Sequence, residues 1–376
     1  MHRRNFLASA AATLGIASID SALAHPLYVA DEPTLKAAGS SCGMRVGFAA
    51  VKAKIQYSPP FAAFVKSNCN LMTPESELKW AAIRPTQSAF NFADADWVLE
   101  FSRQNGMALR GHNLCWNAGN PPWVTQMVKK SNAESILVDH ITKVAGRYAG
   151  KIDSWDVVNE PVALWYNKPG GLYPGPWLDS LGPEYIDIAF HAAAAADPGA
   201  LRVLNVHHVE HANDEKTRVA CVELIESLLK RKVPVQALGI ESHLDASLTI
   251  DAAPLEGFIR KVRGMGLEVL ITELDVNDSK VEGDFARRDR VTADYYRRYL
   301  DIVLPIASPR RLVFWAMTDK SNWMEYLRSA PQWHRADGLP HRPGIIDDAM
   351  VAKLAYHEVI ASLKQNCNGS SKGPGR

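Results

Sequence analysis

Trp155-Asp156-Val157-Val158-Asn159-Glu160-Pro161 is the stretch whose reading decides the fold. Val157 and Val158 are β-branched and suit a buried strand. The strand must stop at Glu160, because Pro161 has no N–H to give to a ladder. The stretch therefore carries a carboxyl group to the carboxyl end of a strand. Asn159 beside it offers an amide for a hydroxyl. In a barrel of parallel strands, active sites lie at that end. The plainer reading is a solvated strand terminus, since glutamates are mostly exposed.

Around this stretch, strand-like and helix-like segments alternate with no long linker, the pattern of a βα-repeating domain. The expected strands are Met44–Val51, Asn70–Thr73, Met107–His112, Ser154–Asn159, Leu201–Val206, Val235–Ile240, Leu267–Thr272 and Leu312–Trp315. The expected helices are Pro59–Ser67, Asp94–Asn105, Glu134–Tyr148, Tyr185–Ala196, Thr217–Lys232, Leu255–Met265, Thr292–Ala307 and Val351–Leu363, read from i, i+3, i+4 apolar spacing. Eight strands each followed by a helix predict an α/β protein, a single-domain (β/α)8 TIM barrel over residues 25–365. Residues 25–40 read as a loose lead-in. Val162–Gly182, rich in Gly, Pro and aromatics, reads as a loop over the strand ends. Asn366–Arg376 reads as a flexible polar tail.

Composition narrows the function. The 376 residues carry a formal net charge of +1, with 47 % hydrophobic and 22 % charged residues, an ordinary globular balance. No basic stripe is present, so nucleic acid is not an expected partner. The ten tryptophans suit sugar faces but also fill cores. Arg3-Arg4 precede an apolar run from Phe6 to Ile19, and Ser21-Ala22-Leu23-Ala24 supplies small residues for a cut. Residues 1–24 therefore resemble a twin-arginine export signal, and a secreted or periplasmic location is expected. That run is too short to span a bilayer, so no membrane attachment is expected after its removal. Five cysteines at 42, 69, 115, 221 and 367 include no C-x-x-C, which argues against a metal cluster. One or two disulfides are compatible with export, and Cys115 and Cys221 read as small core residues. His207, His208 and His211 invite a metal reading, but their spacing does not put all three on one face. No metal or cofactor is expected, and the chain is expected to act as a monomer.

Leu270-Ile271-Thr272-Glu273-Leu274-Asp275 ends the seventh strand as Asn159-Glu160 ends the fourth. Two glutamates at matching depth across a barrel can point into one cleft. Glycoside hydrolysis needs such a pair: one carboxyl protonates the leaving oxygen, and the other attacks or activates water.

Several further stretches stand at strand ends in order: Thr73-Pro74-Glu75-Ser76-Glu77-Leu78-Lys79-Trp80, Arg110-Gly111-His112-Asn113-Leu114-Cys115-Trp116, Ser242-His243-Leu244, and Phe314-Trp315 with Asp319 and Trp323. With Trp155–Pro161 and Ile271–Asp275 they resemble the motifs of glycoside hydrolase family 10 endo-β-1,4-xylanases, from about Met44 to about Tyr356. The resemblance implies a retaining double displacement on xylan, with Glu160 as general acid/base and Glu273 as nucleophile, the two carboxyls roughly 5–5.5 Å apart. It implies that His243 orients Glu273 and Asp275 holds the histidine. Asn159 would bind the 2-hydroxyl of the cleaved sugar. Glu75, Lys79, His112 and Trp116 would hold the non-reducing side, and Trp315 and Trp323 would wall the cleaved sugar.

The chain departs from the family pattern at Ser76, at Asn117-Ala118-Gly119, at Val206-His207-His208 and at Glu241, where the family has Gln. His208 and Glu241 are therefore expected in the sugar-reading shell, with altered chemistry. A decorated xylan, or another β-linked polymer such as an exopolysaccharide, is the alternative substrate. A carbohydrate-binding protein without catalysis is the alternative from another class.

Overall fold

The computed structural model describes residues 32–320, 322–326 and 334–370. The expected export signal and its cut after Ala24 lie outside the described residues. Eight parallel strands form the centre: β1 (Arg45–Ala50), β2 (Leu71–Pro74), β3 (Ala108–Trp116), β4 (Ser154–Asn159), β5 (Leu201–Val206), β6 (Ala237–Ile240), β7 (Glu268–Asn277) and β8 (Arg311–Phe314). Each pairs with its successor. β8 pairs with β1 from Arg45↔Arg311 to Phe48↔Phe314, so the sheet closes on itself. A closed barrel leaves no strand edge, and helices cover its outside, which is why strands such as β4 are buried along their whole length.

The termini of the elements follow local chemistry. Helix Pro59–Asn68 starts on two prolines, whose missing N–H groups cost nothing there. Helix Phe285–Ala307 starts seven residues earlier than its apolar spacing indicates, because the Asp284 carboxylate accepts the Arg287 N–H at 2.8 Å. At the amino-terminal face of the barrel, Asp153 ties Arg45 of β1 to Arg311 of β8. Gly111 in β3 is required by packing: a Cβ there would lie 2.0 Å from the Trp155 ring. Trp155 is buried, and its N–H reaches Asp197 at 3.1 Å.

Further expectations change, and the insert Val162–Gly182, expected as a loop, contains the short helix Pro176–Leu181. The lead-in contains a helix, Leu35–Ser40, capped by Thr34 and packed on the barrel through Leu35 and Ala38. The final helix runs from Leu354 to Ser370, past Asn366 where a loose tail was expected; the Asn366 amide still bonds the Ser362 carbonyl one turn back. β3 and β7 run several residues beyond their expected ends, to Trp116 and Asn277. Cys69, Cys115 and Cys221 are buried free thiols, whereas Cys42 is disulfide-bonded. No helix among the described residues is long and apolar enough to cross a membrane.

Candidate active site

The strand ends converge as their periodicity requires. A cleft of about 630 Å³ opens at the carboxyl face of the barrel. Its walls include Glu75, Lys79, His112, Trp116, Asn159, Glu160, His208, Glu241, His243, Glu273, Trp315 and Trp323. Asp275, behind them, is fully buried.

Glu160 follows the last residue of β4, and its backbone N–H bonds the Asn205 carbonyl at 2.8 Å. Its φ of 49° is in the left-handed region, unfavourable before a proline. Ser242 (φ 64°) and His208 (φ 55°) share that region at neighbouring strand ends. Such conformations cost about 1–3 kcal/mol each and cluster where side chains must be aimed.

Glu273 is held from three sides. Asn205 Nδ2 donates to its Oε1 at 2.8 Å, His243 Nε2 lies 3.3 Å from its Oε2, and His112 Nδ1 is 3.8 Å from Oε1. His243 Nδ1 is 2.9 Å from Asp275 Oδ1, and the Trp323 indole donates to Asp275 Oδ2 at 2.5 Å. Burial opposes a charge on His243, but Asp275 and Glu273 outweigh it and hold the imidazole's pKa well above its usual value. As an imidazolium it donates from both ring nitrogens. His112 Nδ1 bonds Asp156 at 3.0 Å, and Asp156 also pairs with Arg110 inside the barrel.

These surroundings split the two carboxyls. Burial and the charge of Glu273 push Glu160 up to about 7; the Trp116 indole and His243 pull less strongly the other way. Burial would raise Glu273 as well, but His112, the His243 bond and charge, and Lys79 bring it down to about 2. One carboxyl is therefore a neutral acid over the pH range in which the other is an anion. Glu75 is also raised, to about 7, by burial against the pull of Lys79 and Lys54. Lys79 Nζ sits 5.3 Å over the Trp116 ring.

Asn205, Trp165 and Tyr173 belong to the site although their sequence context did not single them out, and His207, noted in the sequence as a departure from the family pattern, joins them. Asn205 pairs in register with Asn159 at the end of β5, a polar residue at the depth of the glutamates. Its Nδ2 also faces Asn159 Oδ1 at 2.8 Å and Glu241 Oε1 at 3.1 Å, and its Oδ1 accepts from Thr272. Gly239 on β6 makes room for it, since a Cβ there would stand 2.2 Å from Asn205 Oδ1. His207 reaches the carboxyls, 3.6 Å from Glu160 and 3.7 Å from Glu241. His208 instead packs edge-on to Trp165 at 5.2 Å. Trp165 is half exposed in the insert after β4, which also presents Tyr173 to the cleft.

His207, His208 and His211 do not converge on one point. His211 lies with Glu210 and Asp214 in a separate buried group and accepts the Asp245 N–H. Two trios in the cleft, Glu160–His207–Glu241 and Glu241–His243–Glu273, bring donor atoms within 4.8 Å of one another, close enough for a cation. The departure at Asn117 is structural: its Oδ1 caps helix Pro176–Leu181 by accepting from Trp177 and Leu178.

The chain is similar to known proteins in sequence and in fold. The model of the family described as glycosyl hydrolase family 10 matches residues 34–362. The chain is 30 % identical over 293 residues to endo-1,4-beta-xylanase B of Thermotoga neapolitana, covering 77 % of this chain and 82 % of the relative. It is 32 % identical over 310 residues to a beta-1,4-xylanase of Dictyoglomus thermophilum, covering 79 % and 82 %. Xylanase 10B of Thermotoga petrophila, solved in complex with xylobiose, superposes with a TM-score of 0.79 at 26 % identity, over 89 % of this chain and 98 % of that one. With a closed barrel, two glutamates in one cleft and a family match over nearly every described residue, the chain belongs to glycosyl hydrolase family 10.

Proposed function

We propose that the protein is a retaining endo-1,4-β-xylanase, cutting internal bonds of xylan by double displacement. The observation that carries this reading is the division of labour between two carboxyls in one buried cleft, Glu160 raised to about 7 and Glu273 lowered to about 2. The names of its relatives, an endo-1,4-beta-xylanase and a beta-1,4-xylanase, support the choice of polymer.

In the first half of the reaction Glu273 attacks the anomeric carbon, and Glu160 gives its proton to the departing glycosidic oxygen. Once Glu273 is esterified its charge is gone, one of the two causes that raise Glu160 disappears, and Glu160 becomes a base. It then takes a proton from water, whose oxygen displaces Glu273 with the original configuration restored. Asn159, which donates to Glu160 Oε1 at 3.2 Å, would bind the 2-hydroxyl of the cleaved sugar. His243 and Asp275 orient the nucleophile. Glu75, Lys79, His112 and Trp116, which line the cleft, would hold the glycone side, with Trp315 and Trp323 as apolar walls. One chain supplies every group of this site, so a monomer suffices, and the resemblance of residues 1–24 to a twin-arginine export signal supports action outside the cytoplasm.

The test is release of reducing sugar from arabinoxylan, glucuronoxylan and a β-1,4-glucan, with wild type and Glu273→Ala in parallel. Xylan cleavage that falls by about 10⁴-fold or more in the variant is expected. A wild type that cleaves only the glucan, or a Glu273→Ala variant that keeps a tenth of the rate, would defeat the proposal.

A further inference from the structure

Glu241 is a carboxylic acid where the motif resemblance places an amide, and its surroundings give that difference a consequence. It follows the last residue of β6 and is 2 % exposed. Its Oε1 accepts from Asn205 Nδ2 at 3.1 Å. Its Oε2 lies 3.7 Å from His207 Nδ1 and 4.0 Å from His243 Nε2. The same two imidazoles reach the catalytic pair: His207 stands 3.6 Å from Glu160 Oε2, and His243 3.3 Å from Glu273 Oε2. Three carboxyls and two imidazoles thus alternate in one row, Glu160, His207, Glu241, His243, Glu273.

We infer that Glu241 is a positioning residue that shares the titration of Glu160 across His207, and so extends to higher pH the range in which Glu160 is an acid. The inference rests on the catalytic roles proposed above. An amide would fill the same space and keep a polar contact to Asn205, so the carboxyl differs from it chiefly by the proton it can hold or lose. The groups facing that proton are Glu160 from β4, Asn205 and His207 from the end of β5, Glu210 from the turn beyond them, His243 from the short strand His243–Asp245, and Glu273 from β7. Most are acids or neutral. Burial, then Glu273 and Glu160, push the pKa of Glu241 well above the usual carboxylate range, with His243 opposing. Burial and the neighbouring histidines push His207 down to about 3, so it stands between the two acids as a neutral ring.

Glu241 therefore holds its proton beyond the usual carboxylate range, and that proton is consumed in neither half-reaction. As pH rises, the first proton leaves the Glu160–Glu241 pair as a unit. When it leaves Glu241, the new anion raises Glu160, which keeps its proton and stays competent. With Gln at 241 every ionisation in that range falls on Glu160 and removes the acid.

The experiment is a carboxyl 13C NMR titration of the full protein labelled at glutamate Cδ, for wild type, E241Q, E241D and the assignment variant E160Q, together with kcat/KM against pH. Expected is a Glu160 step that moves down by about one pH unit in E241Q, an alkaline limb that moves with it, an acid limb that stays, and partial return of both in E241D. A Glu160 step at the same pH in wild type and E241Q, or one that moves up, would overturn the inference. The titration needs no turnover. A protein that shows the coupled steps but cleaves no β-1,4-glycan would therefore count against the proposed function and not against the pairing of Glu241 with Glu160.

Discussion

Glu160 follows the end of β4 and Glu273 stands inside β7, four residues before its end, yet both line one cleft, and the barrel gives the two opposite properties. Glu273 faces His112, a charged His243 and the amide of Asn205. Glu160 faces Glu273, the amide of Asn159 and a His207 that burial keeps neutral. Both sit in low-dielectric surroundings that disfavour charge. The difference arises because the cationic and donating groups were placed around one of them. Burial alone would make two weak acids; the asymmetry of neighbours makes one acid and one anion, which double displacement requires.

Exchanging the acid's proton should give the largest break in this comparison. Glu160→Gln keeps the shape and removes the proton, so hydrolysis of xylan should fall by about 10²–10⁴-fold. An aryl xyloside with a good leaving group needs little protonation, so its first step should fall much less. A loss of equal size on both substrates, measured by steady-state and burst kinetics, would show that Glu160 is not the acid.

A smaller effect should follow from weakening the support of the anion. Wild-type kcat/KM should be bell-shaped, with limbs near the values of the free enzyme, about 2 for Glu273 and about 7 for Glu160. Asp275→Asn removes the charge that keeps His243 protonated. The pKa of Glu273 should then rise, moving the acid limb up by about one pH unit and leaving the ionisation of Glu273 at neutral pH unchanged. An acid limb that does not move in Asp275→Asn would separate the histidine pair from the nucleophile.

The smallest effect is on stability. A carboxyl whose folded pKa is raised binds its proton more tightly folded than unfolded, so it costs no stability below its unfolded pKa and weakens the fold as pH rises through the folded value. Glu160 and Glu75, both at about 7, share this sign, and Glu273, at about 2, has the opposite one. Glu160→Gln should therefore raise the melting temperature by a few degrees at pH 8 and leave it nearly unchanged at pH 5. Equal shifts at both pH values would mean that the change acts through packing rather than charge.

Much of this was legible before any coordinates. β4, β5 and helix Tyr185–Ala196 have the limits that their residues indicate, because a β-branched run and an Ala-rich apolar face specify their own geometry. Glu160 was legible as a strand-end acid, Glu273 was expected at a strand end but stands inside β7, and Trp116, Trp315 and Trp323 do line the cleft. Trp80, Trp123, Trp155 and Trp177 are buried instead, since a tryptophan's sequence context does not say which side of a helix or strand will be covered. Asp319 shows the same limit. It stands in a motif shared with the family, but its carboxylate is turned away from the cleft and bonds Lys353 at 2.8 Å and the Gly344 N–H at 3.0 Å, fixing the loop that carries Trp323.

The sequence by itself determined the repeat of strand and helix, the depth at which Glu160 and Glu273 emerge, and the positions where the motif departs from its relatives, because each depends on periodicity or on a neighbour within a few residues. Only the tertiary structure decided that His207 rather than His208 meets the carboxyls, that Asn205 joins Asn159, Glu241 and Glu273, and that Trp165 from the insert reaches the same cleft. These relations cross the closed barrel. Charge and hydrogen bonding depend on distance in space, and closure brings together residues that the chain holds far apart.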